Sequence, residues 1–217
     1  LHKKTILVTA ATSGFGYKLA ENLAKYPVNI FITGRDIKKV DEAVIKLQKI
    51  NPNVFGKSAY FSDEKEVEKM FETAVSKFKK IDIVINIPIR IYNKFKLSDT
   101  KVEKIKEMMN KNLESIIQIN NLAIAHMSKK SIRGRIINVS SFKSKQTNTK
   151  TSQGAEILTN NIVENYTKLI SSEVYGKNIA VVLIRLDEDI FGSQFNFDFP
   201  IEPNKKGREL IEKVRNV

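Results

Sequence analysis

Ten residues near the start constrain this chain more than any others: Leu7-Val8-Thr9-Ala10-Ala11-Thr12-Ser13-Gly14-Phe15-Gly16. Ile6 to Thr9 reads as a short buried strand, and Tyr17 to Tyr26 carries Leu19, Ala20, Leu23 and Ala24 at helical spacing. A glycine-bearing turn between a parallel strand and a helix lets backbone N–H groups approach a phosphate at the helix's positive end. The stretch therefore commits the chain to a strand–turn–helix unit with an anion-ready corner.

That unit is then repeated. Val28 to Thr33 is expected as a second strand and Ile37 to Ile50 as a helix, with Val40, Ala43, Val44, Leu47 and Ile50 on one face. Asn51-Pro52-Asn53 ends it. Val54 to Phe61 reads as a third strand, Glu64 to Phe78 as a helix and Ile81 to Ile87 as a β-branched fourth strand. Asp99 to Met127 is a long helical tract, Gly134 to Ser140 a fifth strand, Ala155 to Tyr175 a helix and Ile179 to Leu186 a sixth strand. Apolar strands alternating with helices predict a parallel sheet covered on both faces. In the tail, Phe195, Phe197 and Phe199 suggest a local apolar cluster, and Lys206 to Val214 a last short helix.

The spacing Thr-x-x-x-x-Gly-x-Gly from Thr9 to Gly16 resembles the cofactor turn of the short-chain dehydrogenase/reductase family, with Ala10 where the first glycine usually stands. Later motifs follow in the family's order. Asp63 stands where the family's Asp meets the adenine amino group. Asn86 matches the first Asn of an Asn-Asn-Ala-Gly stretch, and Asn112-Leu113 the pair bearing the catalytic Asn. Gly134-Arg135-Ile136-Ile137-Asn138-Val139-Ser140-Ser141 places Ser141 at the catalytic Ser. The resemblance covers about residues 3–187 and implies one Rossmann-like domain over 1–217: a doubly wound parallel sheet of about six strands, helices on both faces, the seventh strand missing. It implies a dinucleotide held by Thr9, Ser13, Gly14, Phe15, Gly16, Arg35, Asp63 and Asn86. Gly34-Arg35 resembles the NADP-preferring form, in which an Arg accommodates a 2′-phosphate.

The chemical residues depart from the pattern. The family uses a Tyr as general acid/base, with a Lys one turn later that lowers its pKa from near 10. Counting forward from Ser141 puts this pair at Gly154 and Leu158; counting back from Tyr166-Thr167-Lys168 and Glu173 puts it at Glu156 and Asn160. The second register is preferred, because an insertion in the preceding loop costs less than one inside a helix. Neither register holds a Tyr or a Lys. Ile87-Pro88-Ile89 and Leu186-Asp187 replace further family landmarks, crowding the nicotinamide half of the site. One Tyr-x-x-x-Lys does occur, Tyr92 to Lys96, in the loop after the fourth strand. His126 reads as an interface or surface residue.

These losses lead to a noncatalytic reading. By resemblance, the domain is expected to serve a structural, dimerisation or regulatory role, as do degenerate domains fused behind sugar-alcohol phosphate cytidylyltransferases. Binding of NADP(H) is expected to be weak or absent. The alternatives are an NADP(H)-dependent oxidoreductase with altered catalytic residues, and a basic nucleic-acid-associated module. Net charge is +13, but most basic residues are Lys interleaved with Glu, which favours solvated faces over a nucleic-acid surface; Lys143, Lys145 and Lys150 are the exceptions. Self-association, or docking on a fused or cognate enzyme domain, is expected through the two long helices, at Ile116, Ile119, Ile162 and Leu169. The chain has no Cys, no apolar run of membrane-spanning length and no leader, which fits a cytoplasmic protein without a metal site. It opens on Leu1 rather than Met, as an excised domain would.

Overall fold

The structure is a computed structural model that describes residues 2–87, 97–109, 113–141 and 154–186. Its first unit is β1 (Thr5–Val8) and α1 (Gly14–Ala24), followed by β2 (Asn29–Gly34), α2 (Ile37–Gln48), β3 (Val54–Ser58), α3 (Glu64–Phe78) and β4 (Ile83–Asn86). A 3-10 turn at Leu97–Asp99 precedes α4 (Val102–Met109), α5 (Ser115–Lys129), β5 (Gly134–Ser141), α6 (Gly154–Glu173) and β6 (Ile179–Leu186). The six strands form one sheet in the order β3-β2-β1-β4-β5-β6, every pair parallel. The doubly wound sheet expected from the sequence is the sheet observed.

Strand periodicity sends alternate residues to opposite layers. Ile6, Val8, Ile30, Ile32, Ile83, Ile85, Ile137 and Val139 pack with Leu19 and Leu23 of α1 and Leu47 of α2. Leu7, Phe31, Val84, Ile136 and Val181 face the other way, against Val67, Met70 and Phe71 of α3 and Ile119 and Met127 of α5. The strand order reverses between β1 and β4, so a crevice opens at their carboxyl ends, where open α/β sheets bind ligands.

Two departures from the expected elements have local causes. The third strand stops at Ser58: Ala59 N–H gives the last bond of the parallel ladder, to Gly34 O, and the chain then enters the cap of α3. The tract from Asp99 to Met127 is two helices. Among the residues of α4 only Met108 is buried, whereas α5 buries Ile116, Ile119, Ala123 and Met127, and the backbone at Leu113 and Glu114 widens to π-helical bonding. Among the described residues, no helix is long and apolar enough to cross a membrane, and no cluster of three or more metal-ligating side chains occurs. The tail beyond Leu186 lies outside the described residues.

Candidate active site at the carboxyl ends of the strands

The β1–α1 turn is held by its backbone. Thr9 N–H bonds Ile85 O on β4 and Ala11 N–H bonds Thr33 O on β2, both at 3.0 Å. Ala10 sits at φ 48°, the left-handed region that favours glycine, at the position where the family carries one. Gly16 is there for space: a Cβ would lie 2.3 Å from Ala10 O. The helix thus presses directly on the turn, and no side chain fits between them. At the mouth the situation is reversed. Gly14, at φ 57°, has nothing within 4 Å of where its Cβ would stand. Ser13 is the N-cap of α1 but makes no side-chain capping bond, and the first turn has no acidic residue. An uncapped helix end facing open space suits a phosphate. Arg35 is exposed just beyond Gly34 at the end of β2. These features fit an NADP-type dinucleotide, with Ser13, Gly14, Phe15 and Gly16 at the pyrophosphate and Arg35 at a 2′-phosphate. Phe15 offers backbone only, since its ring packs on the core.

Three other predicted cofactor residues are engaged by the protein. Thr9 Oγ1 accepts from Ile87 N–H at 2.8 Å, tying β1 to the end of β4. Asp63 is the N-cap of α3, its Oδ1 accepting from Lys65 N–H and Glu66 N–H. It caps the helix through Oδ1 and is exposed after the third strand. Asn86 is buried, and its Nδ2 donates to Asn120 Oδ1 at 2.7 Å and Asn138 Oδ1 at 2.9 Å. Asn138 continues the chain to Thr167 Oγ1 on α6, and Asn120 donates to the Tyr166 hydroxyl at 3.4 Å. Burial holds the Tyr166 phenol above its ordinary pKa. This network joins β4, α5, β5 and α6 beneath the site, so Asn86 braces the sheet.

On α6 the second positions of the two candidate registers differ in burial. Leu158 is 36% exposed, whereas Asn160 is 8% exposed and faces inward with Val163, Glu164 and Thr167. Asn160 and Glu164 share one helical face, four residues apart on α6. Asn160 Nδ2 is buried without a hydrogen-bond partner. Ser141 closes β5, in register with Leu186. One residue earlier, Ser140 pairs with Arg185 and donates from Oγ to Glu164 Oε1 at 3.2 Å. Arg185 grips the same carboxylate in a fork, Nε to Oε1 at 2.8 Å and Nη2 to Oε2 at 2.5 Å. Hydrogen bonding to Glu164 holds the Arg185 pKa above its ordinary value. Asn112, Tyr92, Lys96, Pro88, Ile89 and the basic loop of Lys143, Lys145 and Lys150 lie outside the described residues.

Asn120, Glu164 and Arg185 are absent from the sequence-based site. Two of them left a trace: Arg185 is the one charge in the apolar run Ile179 to Leu186, and Glu164 an acid on a face otherwise buried. Two expectations need correction. Ile116 and Ile119 are 3% and 1% exposed and belong to the core, so they are not available to a partner; Leu169 is exposed and Ile162 partly so. His126 is structural: its Nε2 accepts from Ile81 N–H at 3.2 Å and its ring meets Phe71 edge-on.

The profile of the short chain dehydrogenase family matches residues 4–186. Tropinone reductase-like 3 of Erythroxylum coca is 29% identical over 126 residues, covering 58% of this chain and 49% of its own length. An uncharacterized oxidoreductase of Staphylococcus epidermidis is 28% identical over 149 residues, 67% of this chain and 63% of its own. The chain thus spans about half to two thirds of these relatives. Among solved structures, an actinorhodin polyketide ketoreductase with NADPH superposes with a TM-score of 0.77 at 21% identity, covering 83% of this chain and 69% of that one. YwfH, an NADPH-dependent reductase involved in bacilysin biosynthesis, gives 0.77 at 20% identity, with 84% and 76% covered. The similar proteins are reductases and oxidoreductases by name, and this overturns the expectation of a noncatalytic structural or dimerisation domain appended to a cytidylyltransferase.

Proposed function

The chain belongs to the short-chain dehydrogenase family, and on that premise we propose that it is an NADP(H)-dependent oxidoreductase with altered acid–base residues. The β1–α1 turn carries this reading. Its helix end is uncapped and open, its glycine at position 16 admits no side chain, and Arg35 stands beyond Gly34. Bound NADPH supplies a hydride. The protein's part is to hold the carbonyl and move a proton to its oxygen. Ser141 at the end of β5 orients the carbonyl oxygen, and Glu156 on α6 delivers the proton from a carboxyl group. A carboxyl has an ordinary pKa near 4.3, so this role needs burial to raise it toward neutrality.

The test is NADPH oxidation by the wild type over a panel of ketones, aldehydes and oxo acids. Glu156→Gln is expected to lower kcat at least about 100-fold, the usual worth of a general acid. A wild type inactive on every substrate contradicts the reading. So does a Glu156→Gln variant of unchanged kcat.

A further inference from the structure

Beneath the end of β5, Arg185 spends only half of its hydrogen-bonding capacity. Its Nε and Nη2 grip Glu164, whose side chain is 7% exposed, and Glu164 also accepts from Ser140. A buried ion pair is a weak source of stability, because desolvation offsets most of the attraction. A stability argument alone therefore does not account for a charged pair at this place. Arg185 Nη1 has no partner among the described residues, and 27% of the side chain is exposed. The fork with Glu164 fixes the guanidinium plane, so a ligand meets the Nη1 edge without ordering it first.

A second unused donor lies nearby. Asn160 is more than nine-tenths buried, and its Nδ2 has no hydrogen-bond partner. It precedes Glu164 by four residues on the same face of α6, about 6 Å along the helix axis. A buried amide N–H left unpaired is costly, so its place is explained when a ligand supplies the acceptor. Arg185 lies one residue short of the Ser141–Leu186 pair at the carboxyl end of the sheet, and Asn160 lies one turn before Glu164, the partner of Arg185, on α6. Both donors call for the same thing: an oxygen-rich, negatively charged group.

We propose that Arg185 and Asn160 form an anion anchor for the substrate, so that this site takes a carbonyl compound bearing a carboxylate, an oxo acid. Glu164 and Ser140 are positioning residues that aim the guanidinium. The net charge of +13 favours the approach of such an acid. The substrate class rests on the oxidoreductase reading above; the anchor itself rests on the two donors. The other source of such a group is a phosphate of the dinucleotide.

Two measurements on the full chain decide it. Calorimetric titration with oxalate is expected to give binding that Asn160→Ala weakens with no loss of Tm, since Asn160 Nδ2 holds no protein group. Arg185→Lys keeps the charge but loses the fork, and is expected to weaken oxalate about tenfold, as is the apolar pair Glu164→Leu with Arg185→Met, which keeps the fold. Steady-state NADPH oxidation then compares an oxo acid with its methyl ester. The wild type is expected to favour the acid in kcat/KM by about tenfold or more, and the apolar pair to remove that ratio. No oxalate binding, or equal binding by wild type and variants, overturns the anchor. Variants that weaken NADPH binding but leave the acid-to-ester ratio at its wild-type value assign the edge to a cofactor phosphate and overturn the substrate. Oxalate binding that follows the variants, in a protein inactive on every carbonyl, leaves the anchor standing and refutes the oxidoreductase reading instead.

Discussion

The β1–α1 turn and the α6–β6 layer lie at the same end of one sheet, yet they are built from different material. The turn works through its backbone. Its strength lies in Gly16 against Ala10 O, in N–H groups left open at Gly14, and in strand ends stitched by Thr9. The α6–β6 layer works through side chains: a forked ion pair, a buried amide and a hydroxyl drawn from two strands and a helix. A backbone device fixes glycine positions and spacing, so it survives substitution around it in recognisable form. A side-chain device needs only a charge at a point in space, and a neighbouring element can supply it. Here the cation facing α6 comes from β6, where Arg185 reaches Glu164.

The largest effect is expected at the ion pair. Arg185→Ala removes the cation from the buried Glu164 carboxylate and should cost about 3–5 kcal/mol, whereas the apolar pair Glu164→Leu with Arg185→Met should be about neutral. Urea unfolding measures both, and a harmless Arg185→Ala would break the contrast drawn here. Next comes the turn: Gly16→Ala forces a methyl group against Ala10 O and should cost about 2–3 kcal/mol, because backbone cannot step aside as a side chain can.

His126 gives a smaller, pH-dependent effect outside both regions. Burial, then Lys130, hold its folded pKa below the ordinary value. The unfolded chain therefore takes up the proton first, so stability is full above about pH 6.5 and falls as the pH drops toward the lower folded pKa. His126→Ala should remove that slope and cost about 1–2 kcal/mol through the lost acceptor for Ile81 N–H. The smallest effect is a gain. Ala10→Gly relieves a left-handed alanine at some entropic expense, for a net increase of about 0.5 kcal/mol in thermal unfolding.

Periodicity made most of the fold legible. The helix Glu64–Phe78 and the strand Ile179–Leu186 are found with their expected bounds, because caps and β-branched runs mark them locally. The burial of Ile116 and Ile119 is not local: it depends on which residues of α5 the sheet can accept. Asp63 matched a motif and also caps a helix, a task that the sequence alone did not reveal because it depends on where Lys65 N–H and Glu66 N–H come to lie. Arg185 and Glu164 are 21 residues apart, and their pairing exists only once β6 lies beside β5 under α6.

The contrast is tested most directly by titrating the wild type and Arg35→Ala with NADPH and NADH. If the turn and Arg35 form an intact cradle for a phosphorylated dinucleotide, NADPH binds the wild type about tenfold or more tightly than NADH, and Arg35→Ala erases the difference. Failure of the wild type to bind either dinucleotide, or equal affinity for both, contradicts the account.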